Sequence, residues 1–156
     1  MGGNFSFAVG RGDRLFVSET GGGAADSSAV SSYQLSESGD LSGIDSSVGT
    51  KQTAACWLVL THNGSYLYTA NAGSASISAF RVGPGCSLQL LTPSGSTAST
   101  GAHPADMALS HDGRFLFSLN NGDGTLPAFA IQPHGGLQSI GSLTGLPTAS
   151  AGLAAW

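Results

Sequence analysis

Leu58-Val59-Leu60-Thr61-His62-Asn63-Gly64-Ser65-Tyr66-Leu67-Tyr68-Thr69-Ala70-Asn71 returns 49 positions later as Met107-Ala108-Leu109-Ser110-His111-Asp112-Gly113-Arg114-Phe115-Leu116-Phe117-Ser118-Leu119-Asn120. Apolar residues match apolar residues, and each copy keeps its His-(Asn/Asp)-Gly turn. The correspondence continues downstream: Ala79-Phe80 meets Ala128-Phe129, and Leu88 meets Leu137. An earlier copy runs through Phe7-Ala8-Val9, Leu15-Phe16-Val17-Ser18, Ser32-Tyr33-Gln34-Leu35 and Gly39-Asp40-Leu41. Its first turn aligns only to within one residue, and its middle loop, 21–28, is longer. A period near 50 marks a repeat architecture and outranks any local motif.

Each copy holds four short apolar or alternating runs, in the second copy near 56–60, 66–71, 76–82 and 87–91. Between them stand Asn63-Gly64, Ala72-Gly73-Ser74 and Gly83-Pro84-Gly85; Asn-Gly between apolar runs is a hairpin signal. No segment carries a sustained helical period. Four antiparallel strands per repeat of this length make one propeller blade. The reading is therefore all-β, with three four-stranded blades over about 4–48, 54–97 and 103–144 and an extra innermost strand at 150–156. Closed propellers take about four to eight blades, and the flat face of a terminal blade needs a neighbour. Self-association is expected, with two chains closing a six-blade ring; a piece of a longer protein is the other option.

The 156 residues hold 24 Gly but only 9% charged side chains, with 5 Lys+Arg against 9 Asp+Glu. No basic stripe is present to follow phosphates, which argues against nucleic acid as a partner. Aromatic and β-branched residues are spread evenly, so the composition is not a disordered one. No apolar run is long enough to span a bilayer as a helix, so no membrane is expected. Met1-Gly2-Gly3-Asn4 lacks the basic and apolar regions of a secretory signal, and the default compartment is cytoplasmic. Truncation from a secreted precursor would look the same.

His62-Asn63-Gly64-Ser65-Tyr66-Leu67-Tyr68-Thr69-Ala70-Asn71, Ser76-Ile77-Ser78-Ala79-Phe80 and His111-Asp112-Gly113-Arg114-Phe115-Leu116-Phe117 together resemble the lactonase-type seven-bladed β-propellers. That group includes 6-phosphogluconolactonase-like and YncE-like proteins. The ending, from Gly145-Leu146-Pro147 to Gly152-Leu153-Ala154-Ala155, also resembles a terminus in that group. The resemblance covers most of 50–156 and more loosely the first 50. It implies a propeller fold and, for activity, lactone hydrolysis with no cofactor. The matching residues are turns and strand cores, and roughly half of such a ring is missing.

His103 and Asp106 are the candidate catalytic pair. Both stand at the entry to an innermost strand, where loops surround one mouth of a propeller's channel. Trp57 replaces Asp106 in the previous copy, so the repeat does not demand the carboxylate. It could take a proton or orient water in lactone opening, with His103 as partner; alternatively it accepts N–H groups from an adjacent loop. Glu19, Asn71 and Asn120 end the second strand of each copy, and with Trp57 they are the candidate ligand-binding residues. Turn capping is the competing role for the first three. His62 and His111 share one turn position, which argues for turn structure, and His134 sits in a surface turn.

Asp123 in its Gly loop falls far short of a calcium site, and no metal ligand set is found. Cys56 and Cys86 fall at opposite ends of a blade, too far apart for a disulfide. Arg11-Gly12-Asp13 reads as a charged hairpin tip. Asn4-Phe5-Ser6 and Asn63-Gly64-Ser65 fit the glycosylation pattern, which carries meaning only in a secreted chain. Phosphate-binding glycine loops and nucleophile elbows are absent. Two functions remain: a self-associating binding or scaffold module that takes a small-molecule ligand, or a lactone hydrolase.

Overall fold

The computed structural model describes residues 4–155. Met1, Gly2 and Gly3, on which the reading of the N-terminus draws, lie outside these residues, as does Trp156, the last position of the expected extra strand. The first sheet holds β1 (Asn4–Gly10), β2 (Arg14–Glu19), β3 (Ala29–Leu35) and β4 (Leu41–Gly49). The second holds β5 (Ala55–Leu60), β6 (Tyr66–Asn71), β7 (Ser76–Val82) and β8 (Leu88–Leu90), with the two-residue β9 (Ala98–Ser99). The third holds β10 (Pro104–Leu109), β11 (Phe115–Asn120), β12 (Leu126–Ile131) and β13 (Leu137–Leu143). Consecutive strands of each sheet pair antiparallel in simple up-and-down order, except that β9 pairs with β7. The innermost strands β1, β5 and β10 pack side by side in that order, so three propeller blades fan out from one edge.

Strand alternation then dictates two seams. Leu60, Leu67, Phe80 and Leu90 are cross-strand partners and share a face; they pack against Phe16, Val30, Ile44 and Val48 of the first sheet. On the opposite face, Val59, Tyr68 and Ala79 are partners, packed against Met107, Leu109, Leu116 and Phe129 of the third sheet. Burying both faces of the middle sheet is what the period-2 pattern of its strands requires. Hydrogen bonds reinforce the second seam: the Tyr66 and Tyr68 hydroxyls donate to Pro133 O and Gly135 O, each at 3.1 Å.

The repeated hairpin is built identically in two blades. Thr61 N–H donates to Tyr66 O, Tyr66 N–H to Thr61 Oγ1 at 3.0 Å, and Ser65 N–H to Asn63 Oδ1 at 3.0 Å. Ser110, Asp112, Arg114 and Phe115 repeat these bonds. Gly64 and Gly113 take φ of 71° and 68°, a left-handed conformation that a Cβ would strain. His62 and His111 are exposed at the tips.

The fourth run of the second blade, expected near 87–91, is present as β8; residues 91–97 then loop out before β9, which also pairs with β7. Thr92-Pro93-Ser94-Gly95 supplies that break, as proline has no N–H for a ladder. One expectation needs correction: the extra strand at 150–156 is absent, since residues 150–155 form no strand. A strand needs a ladder partner, and the described residues contain no second strand to pair with this tail. Leu153 N–H reaches instead to Asp106 Oδ2 at 2.6 Å.

Candidate functional site

Each innermost strand begins with an irregularity. Ala55 pairs with Asn71 but Leu58 with Thr69, and Pro104 pairs with Asn120 but Asp106 with Leu119. One extra residue is therefore bulged out at the start of β5 and of β10, and a bulge re-aims its neighbours. At this end of the strands lies a cavity of about 250 Å³. Cys56 and Trp57 come to it from β5, His103, Pro104 and Ala105 from the entry to β10, Ala72 and Asn121 from the ends of β6 and β11, and Ala151 and Gly152 from the tail. Its walls are chiefly apolar, with an imidazole at the edge.

His103 is held by its backbone. Asn121 N–H donates to His103 O at 3.2 Å, Gly122 N–H to Ala102 O at 3.0 Å, and Ala102 N–H to Asp123 Oδ2 at 2.6 Å. A Cβ on Gly122 would stand 2.8 Å from Ala102 O and 2.9 Å from His103 Cβ, so glycine permits this approach. His103 itself adopts φ of 54°, an uncommon region for a residue with a side chain. The result is an exposed imidazole on a braced loop. Asp123 is occupied in that brace, and Thr125 also bonds it.

Asp106 lies behind the cavity wall, 4% exposed. Its carboxylate accepts the N–H of Met107 at 2.7 Å and of Leu153 at 2.6 Å, and a hydrogen bond from the Trp57 side chain. Burial raises its pKa above the ordinary carboxylate value, against the lowering effect of these donors. The hydrogen bonds of Asp106 thus run to Trp57 and the tail rather than to His103. Trp57 joins both features: its side chain lines the cavity and braces Asp106. That pairing could not be read from strand periodicity, because it crosses a seam between blades.

The other three candidates turn away from the cavity. Asn71 and Asn120 are fully buried. Asn71 Nδ2 donates to Ser76 Oγ at 3.1 Å and Ser78 Oγ at 2.9 Å. Asn120 bonds Thr100, Ser118 and Thr125. Glu19 accepts from Ser31 and Ser47. Among the described residues no cluster of three or more His, Cys, Asp or Glu is placed to hold a metal. Cys56 and Cys86 are free thiols, and burial raises the pKa of both. No helix of the described residues is long and apolar enough to cross a membrane.

A second cavity, of about 270 Å³, opens at the opposite end of the same seam. His62, Tyr66, Asp112 and Gln132 contribute to it. Asp112 is engaged by Ser110 and Arg114, which hold its carboxyl well below the usual range.

The family model described as "Lactonase, 7-bladed beta-propeller" matches residues 10–148. Among solved structures, a protein of unknown function from Desulfotomaculum acetoxidans superposes with a TM-score of 0.77 at 16% identity, over 91% of this chain and 42% of that one. A 6-phosphogluconolactonase candidate from Bacteroides uniformis gives 0.67 at 18% identity, over 88% and 41%. A periplasmic gluconolactonase from Pseudomonas aeruginosa gives 0.52 at 20% identity, over 94% and 58%. The chain thus spans about two-fifths of the first two structures. A search of curated proteins returns no match.

Proposed function

We propose, from the premise that the chain belongs to the lactonase seven-bladed β-propeller family, that it is a self-associating propeller module that binds a small molecule at the channel mouth. The observation that carries this reading is the apolar cavity of about 250 Å³ with Trp57 in its wall and His103 at its edge. Concave, mainly apolar sites with a few polar groups are the usual form of a small-ligand site. Trp57 offers a flat ring for an apolar or sugar-like face, and His103 offers a donor and an acceptor at the rim. Binding is favoured over catalysis because the Asp106 carboxylate is buried behind the cavity wall and engaged by Met107, Leu153 and Trp57. Neutral gluconolactone is the probe of choice. Its addition should change the intrinsic fluorescence, and Trp57→Phe should abolish that response while His103→Ala weakens it. An unchanged spectrum at saturating gluconolactone would refute the binding reading for this class.

Lactone hydrolysis is the second reading, supported by the family and by a gluconolactonase among the similar structures. In it Asp106 or His103 takes a proton from water as the oxygen attacks the lactone carbonyl. The ring C–O bond then breaks, and the proton passes to the departing alkoxide to give the hydroxy acid. Release of acid from 6-phosphogluconolactone or aliphatic lactones, lost in Asp106→Ala and His103→Ala, would support it. Rates equal to background would leave binding alone.

A further inference from the structure

Neither Asp106 nor Asp123 is part of the wall of the apolar cavity. One carboxylate accepts from the Trp57 side chain, the other from Ala102 N–H, one residue before His103. Trp57 and His103 are the two groups of that cavity suited to recognising a ligand. The repeat separates what the blades share here from what is particular to this pair. Ala54 stands one repeat before His103 and has the same left-handed backbone, φ of 57° against 54°. Ala72 N–H donates to Ala54 O and Gly73 N–H to Thr53 O, as Asn121 and Gly122 do to His103 and Ala102. Ser74 Oγ accepts Thr53 N–H at 2.8 Å, the station at which Asp123 Oδ2 accepts Ala102 N–H. The second blade thus holds an alanine with a hydroxyl, and the third holds a histidine with a carboxylate. A charged acceptor makes the stronger bond. Asp123 is itself fixed, because its other oxygen accepts Thr125 N–H at 3.2 Å and Thr125 Oγ1 at 2.7 Å. A Cβ on Gly101 would collide with that carboxylate, so glycine leaves room for it. Left-handed backbone is unfavourable for a residue with a side chain and persists where its surroundings hold it.

Trp57 and Asp106 hold the same station on the neighbouring innermost strands β5 and β10. The indole N–H, the only donor of that side chain, meets the carboxylate across the seam. An indole in an apolar wall needs such a partner, and the partner sets how the ring lies. Met107 N–H and Leu153 N–H in turn fix the carboxylate. We propose that Asp106 and Asp123 are positioning residues: Asp106 sets the orientation of the Trp57 indole, and Asp123 holds the His103 loop so that the imidazole stays at the cavity edge. This rests on the binding reading above and adds the two groups that act through the ligand-facing side chains without touching the ligand.

Nuclear magnetic resonance and calorimetry on the full chain test the two braces independently. Asp123→Ala should remove the protection of Ala102 N–H from hydrogen exchange and move the His103 ring signals. Asp123→Ser, which copies Ser74, should restore both. Asp106→Asn should move the Trp57 indole N–H signal, identified by its loss in Trp57→Phe, because an amide oxygen accepts less strongly than a carboxylate. Asp106→Ser replaces Asp106→Asn should circular dichroism show misfolding. By calorimetry, Asp123→Ala should weaken gluconolactone about tenfold, with no further loss when it is added to His103→Ala. Asp106→Asn should weaken it by a similar factor, with no further loss when it is added to Trp57→Phe. Signals and affinity equal to the parent's overturn the brace concerned. A loss that is the same with and without His103 makes Asp123 merely structural and overturns its positioning role. Acid release from gluconolactone that Asp106→Asn abolishes, with affinity and the Trp57 signal unmoved, makes Asp106 a catalytic group and overturns its own. A parent protein that binds no gluconolactone sinks the binding reading alone, and the Ala102, His103 and Trp57 signals then decide the braces.

Discussion

Asp106 and Asp112 are two carboxylates in one blade whose surroundings drive them in opposite directions. Burial raises the pKa of Asp106 above 3.8, so the fold prefers its protonated form. Its contribution is complete below that value and is lost as pH rises through the raised folded pKa. Asp112, exposed and bonded by Ser110 and Arg114, is lowered; its contribution is present above 3.8 and lost as pH falls toward its folded pKa. Urea titrations from pH 3 to 7 should therefore show Asp106→Asn gaining on the parent protein as pH rises. Asp112→Asn should lose its disadvantage as pH falls. A second contrast sits one repeat apart. Ser118 Oγ bonds Asn120 Oδ1 at 3.0 Å, whereas its counterpart Thr69 Oγ1 is buried without a partner. Ser118→Ala should cost about 1 kcal/mol, and Thr69→Val should be neutral or stabilising by a few tenths, since an unpaired hydroxyl gains nothing from burial. Denaturation midpoints of the two variants decide it.

At the scale of elements, strands and hairpins were legible and their interruptions were not. Alternation of apolar residues and the His-(Asn/Asp)-Gly turns locate β5, β6, β10 and β11, because period 2 and left-handed glycine are local properties. The break in the second blade's outer strand is less local: it depends on which residues of 88–99 find partners on β7. The seam bonds are likewise invisible until blades stack. Tyr68 reads as core, yet its hydroxyl is anchored on Gly135 O, 67 residues away in sequence. Tyr68→Phe should lower stability by about 1 kcal/mol with the fold unchanged, measured by thermal melting alongside circular dichroism. Gly122→Ala should cost about 1–3 kcal/mol, because the added methyl must push the His103 loop aside. The same variant should weaken gluconolactone binding if His103 holds the ligand.

For the whole molecule, the succession of three stacked blades follows from the repeat. A period of 49 and four runs per period are carried by the order of residue types alone. They determine that the chain is all-β, that blades stack, and that Phe16, Leu67 and Phe80 lie between them, since each follows from local hydrogen bonding and the side on which a strand's residues fall. What only the tertiary structure decided is which polar groups meet. For Asn71, Asn120 and Glu19 the sequence favoured turn capping over a binding rim, and packing engages all three with hydroxyls of neighbouring Ser and Thr residues. Asp106 is spoken for by Trp57 and Leu153, one from a neighbouring blade and one from the tail. Such meetings depend on how sheets register across a seam, a sum of many weak contacts between residues distant in the chain, and no local pattern encodes that sum.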